Sequence, residues 1–222
     1  RRGSFFAQKC SWSFFSWQSS PYNLSQEKLV ASGMVTMDEQ ISGVLDFWFD
    51  GVVEGEMRPE WWEQSDEFDA QIRGQFGEMH KRAAAGEFDH WAETEEGALA
   101  LVIILDQFSR NLDRGSAAAF ANDPKALSIA EMAIEKGWDQ QFQEPNKVFF
   151  YLPHEHSGFV KLQRCGFVLL AKTKMGTEYA EAHMKLIERF GRFPHRNKVL
   201  GRANTPEEEA YLAQPREGFE AG

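Results

Sequence analysis

The chain has 222 residues and a mass of 25.4 kDa, carries a formal net charge of −10 with a pI near 5.1, and is 42% hydrophobic and 14% aromatic. That length holds one domain with a full core, and so acidic a chain lacks the broad basic face that a nucleic-acid partner needs. Two cysteines, Cys10 and Cys165, exclude a thiolate zinc site and argue against a disulfide framework, and the longest apolar run, Ala98 to Leu105, falls well short of the about 20 residues that cross a bilayer.

In chain order, Arg1 to Val35 is rich in serine, phenylalanine and tryptophan and has no acidic residue before Glu27. It reads as a disordered tail, either a targeting presequence for a mitochondrion or plastid or a non-native leader, ahead of a domain at 36–222. Without targeting, the cysteine usage points to the cytoplasm. Thr36 with Glu39 forms a capping box before Ile41, Val44, Leu45, Trp48 and Phe49, which recur at helical spacing. After Gly51, Gly55 and Pro59, the pair Trp61-Trp62 precedes Ser65, a cap for a second amphipathic helix through Phe68, Ile72, Phe76, Met79 and Ala83 to Gly86. Thr94 caps a third, Glu95 to about Gln107, apolar all round and therefore enclosed by others.

Asp123-Pro124 opens a further helix, with Asp123 as cap, carrying Leu127, Ile129, Ala130 and Ala133 to Gly137. Pro145 starts a short turn, and Ser157 caps a helix with Leu162, Phe167, Val168 and Leu170. Thr177 caps the next, with Tyr179, Ala182, Leu186, Ile187 and Phe190 on one stripe and Gly191 at its end, and Thr205-Pro206-Glu207-Glu208 begins the last. No segment alternates as a strand does. The fold class is all-α. Helix starts spaced by roughly 20 to 35 residues predict a tetratricopeptide-like helical-hairpin array or a compact helical bundle.

Two stretches run against the global charge: Asp106 to Gly115, with Arg110 and Arg114, and Phe190 to Asn197, with Arg192 and Arg196. Together they predict two walls of one anion-accepting pocket. Arg110 and Arg114, four apart, share a side if the helix continues through them, and each guanidinium can grip a carboxylate or phosphate through two parallel hydrogen bonds. The bland alternative is neutralisation by Asp106 and Asp113. In the second stretch Lys185, Arg189, Arg192, Arg196, Lys198 and Arg202 have only Glu188 nearby in sequence. Lys185 and Lys198 are expected in solvent, and others can pair with distant acids such as Asp46 or Asp69.

The chain resembles a family almost from end to end of the domain, about Glu39 to Phe219. The residues that carry the likeness are Leu45 to Phe49, Trp61-Trp62, Phe68-Asp69 with Arg73, Leu105 to Phe108 with Arg110-Asn111 and Arg114-Gly115, Tyr151-Leu152-Pro153 with His156-Ser157 and Gln163, and Phe190 to Asn197 with Leu200-Gly201-Arg202. The family is the one catalogued as domain of unknown function 924. The resemblance implies a tetratricopeptide-like helical fold and no established activity. The family usually has proline where this chain has Ser109, and phenylalanine and glutamate where it has His154 and Gly158.

The candidate ligand-binding residues are Gln107, Arg110, Asn111, Arg114, Gln163, Arg192, Arg196, Asn197 and Arg202, and the expected ligand is an anionic small molecule or an acidic peptide terminus. For catalysis, His156 or His195 can serve as acid or base with Asp106 orienting it, which would make the chain a hydrolase or transferase on an anionic substrate. Ser157 reads as a cap rather than a nucleophile. His154 and His156 converge on a metal only in an extended segment and need a third ligand, so no metal or other cofactor is assigned. His183 reads as a core histidine, and Trp48, Trp61, Trp62 and Trp91 as core aromatics. The remaining alternative is a scaffold in which the arginine motifs form a structural polar network.

Overall fold

The computed structural model describes residues 36–53, 56–175 and 177–214, so the tail expected at 1–35 lies outside the described residues. Among them every regular element is helical. In order these are α1 (Met37–Phe49), α2 (Asp66–Ala84), α3 (Glu95–Val102), α4 (Ser109–Leu112), α5 (Asp123–Glu135), α6 (Leu152–Glu155), α7 (Val160–Leu170), α8 (Glu178–Phe190) and α9 (Pro206–Leu212), with short 3₁₀ turns between several of them. No helix among the described residues is long and apolar enough to cross a membrane.

Side-chain caps open three of these helices. Ser65 Oγ accepts from Phe68 N at 3.2 Å, Thr94 Oγ1 accepts from Gly97 N at 3.2 Å, and Thr205 with Glu208 makes a full capping box, each such cap stabilising its helix by about 1 kcal/mol. Three expected caps work differently. Thr177 sits at the start of α8, but its side chain makes no cap bond. Ser157 Oγ accepts from Phe159 N, and it is Phe159, not Ser157, that stands in the cap position before α7. Asp123 lies inside α5, after Asn122, because its carboxylate is engaged elsewhere.

The core is built around α3. Ala98 to Leu105 are fully buried, enclosed by α1, α5 and the 3₁₀ turns at Asp89–Glu93 and Asn146–Phe150. At Gly97 a Cβ would lie 2.1 Å from the Trp91 carbonyl oxygen, so only glycine lets the helix start this close to the preceding turn. On the α1 side Trp48, Trp61 and Phe149 pack edge and face, with centroids 4.9 to 5.9 Å apart. Trp62 is a correction: it is 37% exposed rather than core, since its neighbour Trp61 fills the slot. Val168 and Tyr179, expected on apolar stripes, are exposed too; α7 and α8 pack mainly on each other, and these two side chains lie off that seam. A smaller apolar cluster of Leu186, Ile187 and Phe193 joins α8 to the segment behind it, with Phe190 and Tyr211 against it.

The central helix does not stop near Gln107. It continues from α3 as a π-helical stretch, Ile103–Phe108, directly into α4. The wider π turn re-aims the side chains that follow, and Asp106, Gln107, Ser109, Arg110 and Asn111 are all buried there.

Candidate functional site

The residues of the two arginine motifs fall into three groups rather than two walls of one pocket. In the first, Asp106 on the π turn is fully buried and is held on every side. His156 Nδ1 lies 2.8 Å from its Oδ1, Arg110 Nη1 lies 3.2 Å from the same oxygen, and the Gln107 amide donates to Oδ2 at 2.5 Å. Burial alone would raise this carboxyl, but Arg110, His156 and Gln107 together hold it at about 2. It is therefore a fixed anion at neutral pH.

Arg110 also reaches α5, donating from Nη2 to Asp123 Oδ1 at 3.1 Å. Arg196, on the 3₁₀ turn Pro194–Arg196, reaches the other oxygen of the same carboxylate at 3.5 Å and donates to the His156 carbonyl at 3.1 Å. Its guanidinium has the Phe120 and Phe193 rings against it, each centroid 4.3 Å from Cζ, a desolvated cation–π arrangement. Burial first, then the neighbouring Arg110, lower Arg196 to about 9. Burial likewise pushes the Asp123 carboxyl up, against the pull of Arg110. The Nε–H groups of Arg110 and Arg196 are buried and have no hydrogen-bond partner. Such donors are costly to leave unpaired. The His156 and Asp123 side chains keep 14% and 17% of their exposure, so solvent reaches the centre along their edge.

His156 is lowered by burial first and then by Arg110, which outweigh the attraction of Asp106. It is neutral near pH 7. With Nδ1–H donated to Asp106, its Nε2 carries the free lone pair. Gln163 secures the turn that presents it, donating to the carbonyls of Glu155 at 2.5 Å and Ser157 at 2.6 Å, on either side of His156. Gln107 and Gln163 thus position the acid and the imidazole.

The second group is separate. The α4 helix ends at Leu112 and the chain turns through Gly115 with φ +77°, so Arg114 does not share a side with Arg110. It pairs bidentately with Asp69 of α2 at 3.0 and 3.1 Å, and Asn111 donates to the same carboxylate at 2.7 Å. The neutralising acid is Asp69, not Asp113. These residues, with Arg73 and Gly74, line an open cleft of about 690 Å³.

The third group takes most of the second motif. Arg192 grips Glu208 through Nε at 2.6 Å and Nη2 at 2.7 Å, and that bond is the first reason Glu208 falls to about 2. Arg202 donates to the Phe193 carbonyl at 3.1 Å, and Asn197 donates to Asn204 at 2.9 Å. Arg189 pairs with Glu207 at 2.8 Å. The acids that answer this stretch come from α9, not from Asp46 or Asp69. Lys198 is exposed as expected, and Lys185 is exposed and paired with Glu181.

The histidines divide as well. His195 is half-buried with its ring 5.4 Å from Phe193. His183 faces Glu155 at 3.3 Å and Phe193 edge-on. His154 lies in the helical turn α6, not in an extended segment, and is buried apart from His156, so its ring falls to about 4, chiefly through burial. Among the described residues no three potential ligands are grouped to hold a metal.

A model of bacterial proteins of unknown function, domain of unknown function 924, matches residues 44–216. The chain belongs to that family. The solved structure of a protein of unknown function from Agrobacterium tumefaciens superposes on this DUF924 chain with a TM-score of 0.74 at 38% identity, covering 81% of this chain and 100% of the other. No curated protein matches it.

Sequence reasoning missed Asp123, Phe120 and Glu208 as members of these centres. An Asp-Pro pair and a Thr-Pro-Glu-Glu run both read as helix starts, and nothing local marks a cap-type acid that serves a distant arginine. Asp69 was named only as one of two distant candidates.

Proposed function

We propose that this DUF924 chain binds an anionic small molecule or the acidic end of a peptide at the Arg110–Arg196–Asp123 centre, on a tetratricopeptide-like helical scaffold. One observation carries the reading. Two guanidiniums from separate elements converge on a single carboxylate, and each keeps a buried Nε–H without an acceptor. Arg192 and Arg114 pair their Nε–H groups with an acid, and Arg202, which also leaves a buried Nε–H without an acceptor, bonds to the Phe193 carbonyl rather than to a carboxylate that a second guanidinium shares. Asn111 and Arg114 then belong to the Asp69 cleft, and Arg192, Asn197 and Arg202 hold α9. The test is native mass spectrometry of the purified protein for a co-purifying anion, followed by titration of that anion into the wild type and Arg196→Ala. Loss of binding in a variant that still folds supports the site; a variant that binds unchanged removes it.

A second reading has its own support in the His156–Asp106 pair. An imidazole held neutral, fixed through Nδ1 by a permanently ionised aspartate, is arranged to take a proton at Nε2. Arg110 and Arg196 beside it would hold an oxyanion. On this reading the chain is a hydrolase or transferase of an anionic substrate, with His156 rather than His195 as the base, since Asp106 orients His156. Turnover by a panel of anionic metabolites, abolished in His156→Gln with binding retained, would select it.

A further inference from the structure

The Asp123 carboxylate occupies the position that an anionic ligand would take. Each of its oxygens faces one guanidinium, Oδ1 toward Arg110 at 3.1 Å and Oδ2 toward Arg196 at 3.5 Å. We infer, on the basis of the anion-site reading above, that the natural ligand is a monocarboxylate which replaces Asp123 between Arg110 and Arg196, with Asp123 taking up one proton from solvent as it yields. Asp123 is an internal competitor that makes binding proton-linked.

Charge and shape select the class. Arg110 and Arg196 supply two positive charges, and Asp106 cancels one of them at any pH above its folded value of about 2. With Asp123 neutralised, one positive charge is left, which a single carboxylate balances. A phosphate monoester, dianionic near neutral pH, would leave an excess negative charge among side chains that are only 8% exposed. The Phe120 and Phe193 rings lie against Arg196, and approach in the guanidinium plane is the direction in which a flat carboxylate makes two parallel bonds. The charged and titratable groups that face Asp123 are Arg110, Asp106, His156 and Arg196. Asp106 remains ionised and Arg196 remains protonated at neutral pH. His156 is the other group able to take up a proton, and burial disfavours its charged form. Burial pushes Asp123 the opposite way, toward the neutral form.

The probes are formate and inorganic phosphate, titrated calorimetrically from about pH 5 to 8 in buffers of different ionisation enthalpy, with wild type, Asp123→Asn and His156→Gln. In the wild type, formate should bind with uptake of close to one proton and tighten about tenfold for each pH unit lowered. Asp123→Asn should bind formate at least tenfold tighter at pH 7.5, with no proton uptake and a flat pH profile, and His156→Gln, whatever its affinity, should still take up close to one proton, which excludes the imidazole as the acceptor. At about pH 8, where it is mostly dianionic, phosphate should bind each protein more weakly than formate. The wild-type proton count needs no variant, so misfolding of Asp123→Asn would not shelter the inference. Formate binding without proton uptake overturns it, as does uptake that persists in Asp123→Asn, or dianionic phosphate binding tighter than formate; in each case the anion site stands. If neither probe binds wild type or Asp123→Asn, the anion site falls and the inference with it.

Discussion

Arg192 and Arg196 are four residues apart in one motif, and their surroundings differ in every respect that matters for function. Arg192 closes a two-bond clasp on Glu208, which is 1% exposed and already locked into the capping box of α9. Arg196 has two rings against it, shares one acid with another arginine, and retains an unpaired donor. The first arrangement is complete and fixes the C-terminal helix. The second is electrostatically balanced yet incompletely hydrogen-bonded, which is the condition of a site that another anion can complete. A single arginine-rich motif therefore serves two roles, and counting its cations says nothing about which is which.

The largest expected effect breaks the Arg196 centre at its base. Asp106→Ala removes the buried anion that Arg110, His156 and Gln107 share, leaving an uncompensated cation, and should cost about 3–5 kcal/mol in urea unfolding. A loss under about 1 kcal/mol would mean that water already compensates these groups.

Acid titration gives an effect of intermediate size. His80, His154 and His156 are all lowered, burial being the first cause in each. The unfolded chain therefore binds protons first as pH falls below about 6.5, and stability falls with it. For His154, with a folded value of about 4, the loss between pH 7 and 5 is about 2 kcal/mol. Asp123, raised in the fold, works in the opposite direction at lower pH, and Asp106 adds a further loss as pH drops from about 4 toward 2. His154→Gln should flatten the decline measured by urea unfolding at the two pH values, while leaving anion binding intact.

The smallest effect sharpens the contrast from the other side. Glu208→Gln replaces the anion of the clasp, and should lower the melting temperature by a few degrees and speed amide exchange in α9 before the rest of the molecule. Anion binding at Arg196 should not change. Equal loss of both would make the clasp and the centre one unit.

Much of the frame was legible in the chain itself because it is written in local chemistry. Ser65, Thr94 and Thr205 bond to amides three residues on, and Gly191 ends α8 with φ +67°, a backbone angle that favours glycine. The π stretch was not legible, since Ile103 to Phe108 is buried on all sides and a helix with no exposed face has no period to read. Asp106, Arg110, His156 and Arg196 were legible as candidates, because each is a polar residue at the end of an apolar run, but only within a larger set that the structure divides. Their partners were not: Asp123 and Glu208 are chosen by packing between elements far apart in sequence, and each stands in a pattern that also suits a helix start. The single pocket failed for a related reason. Arg114 lies beyond the end of α4, where helical spacing no longer sets direction.

The most direct measurement is ¹⁵N NMR of the arginine Nε–H groups during titration with formate at about pH 6. The resonances of Arg110 and Arg196 should shift together and saturably, while those of Arg192 and Arg114, already held by Glu208 and Asp69, stay in place. Resonances of all four arginines that remain still, or movement confined to Arg192 and Arg114, would contradict the account.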